Sequence, residues 1–262
     1  MTPHPRNRDF VWRPSHPPYA RLTAEQAALY DQQGFFLFEK AFTEAEIDAV
    51  TEAIAPFEAE GEERLRRAGG QISISKADAI TFTIHLVARS PALKAFSRHP
   101  VLAGVCRDTL GPGARLYWDQ AVYKKPGNPE AFPWHQDNGY TFIEPQQYLT
   151  CWIALTDATL QNGCPWVAPG LHRKGTLAHH LTPLGLECGI DRAETVAVPA
   201  RKGDIVVFSS LTPHRTGPNL TSETRQAYIL QYAPDGVLAY PHGASEGVAQ
   251  NDPARQYLVE AE

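Results

Sequence analysis

Near Arg115 the hydrophobic period of this chain changes, and the change divides it into two kinds of structure. Upstream, apolar residues recur at helical spacing, as at Ile47, Val50, Ile54 and Phe57. Downstream, short segments rich in β-branched and aromatic residues follow one another, at 115–123, 148–155, 195–198, 204–208 and 224–232, bounded by Pro, Gly, Asn and Asp. Strands do not alternate with helices there, as a parallel α/β fold would require. The predicted architecture is therefore mainly β with flanking helices, a sandwich or jelly-roll barrel buttressed by amino-terminal α-helices.

The helical half carries its own punctuation. Thr23 with Gln26, and Thr43 with Glu46, have the spacing of capping boxes; Gly34 and Gly111 sit where C-terminal caps belong, and Pro100 suits a first helical position. Between the first two helices, Phe35 to Phe38 reads as a short buried strand. The Pro-rich start reads as an extended arm. One domain is expected over 1–262, with the arm at 1–20, mostly helical support at 21–112, the β core at 113–235 and a tail at 236–262.

Alternation assigns faces within the strands. Leu149, Cys151, Ile153 and Leu155 should pack on a second layer, leaving Thr150 and Trp152 for the other face, a candidate cavity wall. Leu116, Trp118, Gln120 and Val122 should likewise share a face, on which Gln120 would be a polar group among apolar ones, as in a ligand site.

A net charge of -5 and a pI near 6.1 lack the basic excess that nucleic-acid binding needs. Lys124-Lys125 and the arginines at 64, 66 and 67 read as solvated faces. No apolar run reaches the roughly 18 residues of a membrane span, and the polar start lacks a signal-peptide core. The four cysteines form no C-x-x-C, so reduced thiols and a cytoplasmic location are expected, with neither membrane nor nucleic acid as partner and the oligomeric state open.

Against this background stands F-P-W-H-Q-D-N-G-Y, residues 132–140. A His and an Asp two apart occur by chance in roughly every second chain of this composition, and Asp-Asn-Gly is ordinary turn chemistry. The pair needs a third ligand. His214 offers one: it follows the apolar strand at 204–208 and precedes Arg225 by eleven residues. Two imidazoles and a carboxylate on one side of an ion form the facial triad that suits non-haem Fe(II), with positions open for substrate and oxygen. A structural zinc site would use four protein ligands, usually including Cys, and none lies near the pair. Arg225 adds a planar, permanently charged fork for a carboxylate.

W-H-Q-D, followed by H-R-T-G-P-N with Arg eleven after the His, resembles the phytanoyl-CoA dioxygenase (PhyH) family of Fe(II)/2-oxoglutarate-dependent oxygenases. The similarity extends over most of the chain: L-T-A-E-Q-A-A-L-Y-D-Q-Q-G-F-F-L-F resembles the family's opening helix and strand, and K-G-D-I-V-V-F its strand before the distal His. The resemblance implies a double-stranded β-helix with His135, Asp137 and His214 binding Fe(II). It also implies that Arg225 and Thr216 hold the distal carboxylate of 2-oxoglutarate, with Trp152 and Gln120 lining the cosubstrate and substrate pocket. Leu171 stands where relatives often have Ser, so no role is carried onto His172 or Arg173. Related halogenases have a small residue at the carboxylate position; an intact Asp137 favours hydroxylation.

The expected activity is that of a dioxygenase that hydroxylates an unactivated C–H bond of a small organic metabolite, consuming O2 and converting 2-oxoglutarate to succinate. A cupin-like lyase or isomerase would have no need of Arg225, and a non-catalytic metabolite-binding barrel would take up no iron. His85 sits among apolar residues as a structural histidine commonly does, and His179-His180 has no carboxylate at ligand spacing. Loops around 62–84, 124–133 and 172–192 are expected to choose the substrate.

Overall fold

Both predicted capping boxes close in the computed structural model, which describes residues 1–191, 193–241 and 243–259. They open helices α1 (Ala24–Gln33) and α2 (Glu44–Arg67), with the Thr23 and Thr43 hydroxyls accepting from the Gln26 and Glu46 amides. Gly34 ends α1 at φ 85°. A Cβ there would also lie 2.5 Å from side-chain atoms of His172 and Thr212, so both the backbone and the space require glycine. After the short helix α3 (Pro91–Phe96), α4 (Pro100–Leu110) starts on its proline and stops at Gly111 as expected. The amino-terminal arm is tied to this helix, because Asp108 accepts hydrogen bonds from the amides of Ala20, Arg21 and Leu22.

An eight-stranded antiparallel sheet forms the larger wall. Its order is Phe35–Phe38, Ile205–Ser209, Leu149–Ala154, Arg225–Pro234, Ala114–Lys124, Ile80–Ile84, Ser75–Lys76 and Gln71–Ile72. A smaller antiparallel sheet faces it, ordered Val196–Ala197, Pro165–Val167, His214–Thr216 and Phe132–His135. The two sheets make a jelly-roll barrel, and the helices cover the outer face of the larger one. Leu149, Cys151, Ile153 and Leu155 pack there with Ile47, Ile54, Leu93 and Leu102, while Thr150 and Trp152 face inward, as the alternation predicts. Each of these fully buried aliphatic side chains contributes about 1.5–3 kcal/mol by leaving water.

Three features depart from expectation. Leu116 does not share a face with Trp118: the pairing jumps from Gln231↔Trp118 to Tyr232↔Leu116, so Tyr117 is an extra residue in its strand. That bulge flips the parity, sending Leu116 to the helical core and both Tyr117 and Trp118 to the interior. Second, the stretch expected to be mostly helical support also supplies the strands between Gln71 and Ile84 that widen the larger sheet. Third, the carboxy-terminal segment is anchored: Leu238–Tyr240 pairs with Phe142–Glu144, and Tyr257 and Val259 are buried in the main core. Residues 260–262 of that segment lie outside the described residues. No helix among the described residues is long and apolar enough to cross a membrane, and all four cysteines are free and buried.

Candidate metal centre and anion pocket

The two sheets enclose a cavity of about 710 Å³. His135, Asp137, His214, Arg225, Thr216, Trp152 and Gln120 all line it, so the structure brings every predicted site residue into one chamber. His135 and His214 stand directly opposite each other on paired strands of the smaller sheet, and Asp137 follows His135 at the strand's end. One ligand atom from each lies within 4.8 Å of the others.

The hydrogen bonds prepare these three groups for an ion. The carbonyl of Pro133 is 2.8 Å from His135 Nδ1 and that of Thr212 is 3.0 Å from His214 Nδ1. Each Nδ1 therefore carries the proton, and each Nε2 keeps its lone pair for the cavity. Burial drives the imidazoles further toward the neutral form, to about 3 for His135 and about 4 for His214. Asp137 Oδ1 lies 3.9 Å from His135 Nε2 and 3.7 Å from His214 Nε2. These spacings are too long for hydrogen bonds, and with neutral rings they are not ion pairs. Oδ2 accepts from Thr150 Oγ1 at 2.5 Å, and the Gln231 amide also bonds the carboxylate, which together orient it. Burial pushes the Asp137 pKa up, a cost that a bound dication would remove. Two neutral nitrogen donors and one carboxylate oxygen, each steadied from behind, fit a divalent transition metal.

Asn138-Gly139 does not act through left-handed backbone. The chain leaves Asp137 by a single helical turn, Asp137–Tyr140, and neither residue has positive φ. Asn138 is instead buried, accepting from the Ile143 amide at 2.8 Å and donating to Thr176 Oγ1 at 2.6 Å. Gly139 is required by His179, whose ring would lie 2.1 Å from an added Cβ. His179 accepts from the Gln136 amide at 2.9 Å, while its Nδ1 faces the Leu177 carbonyl at 2.9 Å. The Gln136 side chain donates to the carbonyls of Gly175 and Leu211 and accepts from the Leu177 amide. His179 and Gln136 thus hold the ligand-bearing turn, roles without a local sequence signature because their partners are far along the chain. His180 is exposed beside Glu187.

Arg225 is fully buried, with its guanidinium carbon 5.3 Å from the centre of the Trp152 ring. Nη1 has one long contact, 3.4 Å to the Val122 carbonyl; Nε and Nη2 have no partner. Burial lowers its pKa only to about 10, so the group remains charged. A desolvated cation with unused donors, facing a cavity, is a receptor for an anion. Gln120 accepts from the Trp118 indole at 3.3 Å, which fixes it to the cavity wall. His85 lies behind that wall, against Trp118 and 2.8 Å from Arg255 Nη1. His172 is likewise structural, packed on Trp12 and bonded to the Asp31 carbonyl. Lys124 overturns its expected solvated setting, because its side chain is fully buried. Away from the triad the cavity wall is mixed: Phe57 and Leu65 of α2, Ile72, Ile74, Ile80 and Phe82 alternate with Glu60, Arg64, Arg89, Thr81 and Thr83.

The barrel fold is shared with solved non-haem α-ketoglutarate-dependent enzymes. The carbocyclase SnoK from nogalamycin biosynthesis superposes with a TM-score of 0.76 at 23% identity, covering 91% of this chain and 96% of that one. EctD from S. alaskensis, solved with 2-oxoglutarate and 5-hydroxyectoine, superposes at 0.71 with 22% identity, covering 97% and 93%. In sequence, the methylphosphonate hydroxylase of Gimesia maris is 31% identical over 220 residues, 80% of each chain. The ectoine dioxygenase of Bordetella parapertussis is 25% identical over 238 residues, 80% of this chain and 75% of that one. The profile of the phytanoyl-CoA dioxygenase (PhyH) family matches residues 30–227, and the chain belongs to that family.

Proposed function

We propose that the protein is a non-haem Fe(II)/2-oxoglutarate-dependent dioxygenase that hydroxylates an unactivated C–H bond of a small organic metabolite. His135, Asp137 and His214 hold the iron. Arg225, helped by the Thr216 hydroxyl, receives the far carboxylate of 2-oxoglutarate, while Trp152 and Gln120 wall the chamber in which cosubstrate and substrate meet. The observation that carries this reading is Arg225: a buried charge with two unpartnered donor nitrogens in the same cavity as a His-Asp-His triad. A lyase or isomerase working through the triad alone would leave that charge uncompensated.

Iron held by His135, Asp137 and His214 would supply the oxidising chemistry, consuming O2 and converting 2-oxoglutarate to succinate and carbon dioxide. The protein's residues do the rest. Thr150 keeps the Asp137 carboxylate turned toward the ion, and the Pro133 and Thr212 carbonyls keep both imidazoles in the tautomer that binds it. Arg225 fixes the cosubstrate at its far end, so that its keto acid end reaches the triad in one orientation. The outer chamber, walled by apolar side chains together with Glu60, Arg64 and Arg89, receives the substrate.

Anaerobic titration of the Fe(II) protein with 2-oxoglutarate tests the reading. A weak visible charge-transfer band should appear, and His135→Ala should lose both iron and band. A wild-type protein that shows no band, with iron content unchanged in the variant, would refute it. Succinate release across a panel of small metabolites then addresses the substrate.

A further inference from the structure

Lys124 ends the Ala114–Lys124 strand directly opposite Arg225 in the pairing of the larger sheet, and both side chains are fully buried. Adjacent buried cations lose hydration and repel each other, and a fold sustains them only where acceptors or an anion compensate. Neither has a carboxylate partner among the described residues. Lys124 Nζ donates to two carbonyls, Gly217 at 2.6 Å and Glu130 at 3.2 Å, which leaves one of its three donors unused. Gly217 follows the strand of His214 and Thr216, and Glu130 precedes the strand of His135. The ammonium therefore ties together the two segments that carry the triad, beside a guanidinium with unpartnered donors.

We propose that Lys124 is a positioning residue and the second cation of the anion subsite: with Arg225 it holds the positive charge that the far carboxylate of 2-oxoglutarate neutralises, and it takes up a proton when that carboxylate enters. This inference rests on the reading of Arg225 as the carboxylate anchor. Lys124 also acts through the Gly217 carbonyl, which holds the turn after Thr216.

The groups facing this point are Arg225 from the neighbouring strand, Glu130 from the following loop and the Cys164 thiol near Arg225. Burial, then the charge of Arg225, bring Lys124 down to about 7, against the pull of Glu130. A fraction is therefore neutral amine near pH 7. An anion beside Arg225 offsets the repulsion and raises the Lys124 pKa. Proton uptake accompanies binding between the free and the raised value and vanishes below the free one. Affinity should consequently weaken above about pH 7, by up to roughly tenfold per pH unit.

Calorimetric titration of 2-oxoglutarate into the anaerobic Fe(II) protein, in buffers of low and high ionisation enthalpy at about pH 6 and about pH 8, reads the uptake directly. The wild type should take up a substantial fraction of a proton per ligand at the higher pH and almost none at the lower. Lys124→Met, with iron content and circular dichroism as checks on folding, should show no uptake, a Kd that is flat between the two pH values, and affinity at the lower pH reduced about tenfold or more. Lys124→Arg, permanently charged, should retain affinity and lose the uptake; it serves if the Met variant does not fold. Binding without pH-dependent uptake in the wild type, or uptake that survives in a folded variant, overturns the inference alone. Absence of any binding by the wild type overturns the reading of Arg225 as well.

Discussion

Replacing Arg225 with Met should move stability and cosubstrate binding in opposite directions. Without ligand, Arg225 is a fully buried charge whose Nε and Nη2 have no partner and whose Nη1 makes only a 3.4 Å contact. An apolar side chain of similar length removes that desolvation cost while keeping the packing on Trp152, so the iron-free, ligand-free variant should gain about 1–4 kcal/mol. For a chain of this size that is roughly 2–4 °C in Tm per kcal/mol. With 2-oxoglutarate present the sign reverses. The variant lacks the fork that pairs a desolvated carboxylate, and losing one partner of such a pair costs about 3–5 kcal/mol. Kd should therefore rise by roughly two to three and a half powers of ten. Thermal denaturation without ligand measures the first effect, and anaerobic titration of the iron-loaded variant measures the second, with iron content expected to be unchanged. A variant that melts lower without ligand, or binds 2-oxoglutarate within about threefold of the wild type, would refute the assignment of Arg225 as an anion receptor.

Other consequences of the geometry can be checked separately. His214→Ala should abolish iron binding while leaving the far-ultraviolet circular dichroism spectrum intact, since the ring packs on Phe208 at the cavity wall but lies outside the main core under the helices; retention of stoichiometric iron by metal analysis would count against the triad. Gly139→Ala forces a methyl group against the His179 ring and should cost about 1–3 kcal/mol with weakened iron affinity, read by chemical denaturation and metal competition. Relief by a second change, His179→Ala, would confirm the steric origin. The pH dependence follows from His135, His172, His179 and His214, all held neutral below their ordinary range by burial. Their unfolded forms bind protons first, so metal-free stability is fullest above about pH 6.5 and should fall as pH drops toward about 4, with partial opposition from the raised carboxyls of Asp119 and Asp137. Denaturant midpoints that stay flat or rise across that interval would contradict this account.

What was legible in the sequence depended on short-range physics. Capping boxes at Thr23 and Thr43 act within one helical turn, so their residues alone announce where α1 and α2 begin. Alternation from Leu149 to Leu155 reports a strand with one face on the core, and it sorts Thr150 and Trp152 correctly toward the cavity. His135, Asp137, His214 and Arg225 could be linked because strands and tight turns make sequence offsets into spatial ones. Parity fails as soon as a strand takes an extra residue: the bulge at Tyr117 is set by pairing with Gln231 and Tyr232, more than a hundred positions away. Leu116 accordingly lies on the helical side.

Tertiary structure alone decided the environments. Lys124-Lys125 looks like a solvated pair, yet Lys125 reaches Glu58 on α2 at 2.8 Å while Lys124 is buried beside Arg225. Which of two adjacent lysines meets water depends on what covers each face of their strand. His179 became the support of the metal-binding turn for the same reason, since only the folded chain lays its ring against Gly139 and the Gln136 amide. The residue types and spacings of this chain point to a mainly β fold, a sandwich or jelly-roll barrel with flanking helices, and to His135, Asp137, His214 and Arg225 as a candidate site, while the family resemblance they carry supplies the particular barrel. The charge state, orientation and support of those groups arise from burial and from hydrogen bonds between distant segments, because desolvation is a property of the packed volume and not of the local sequence.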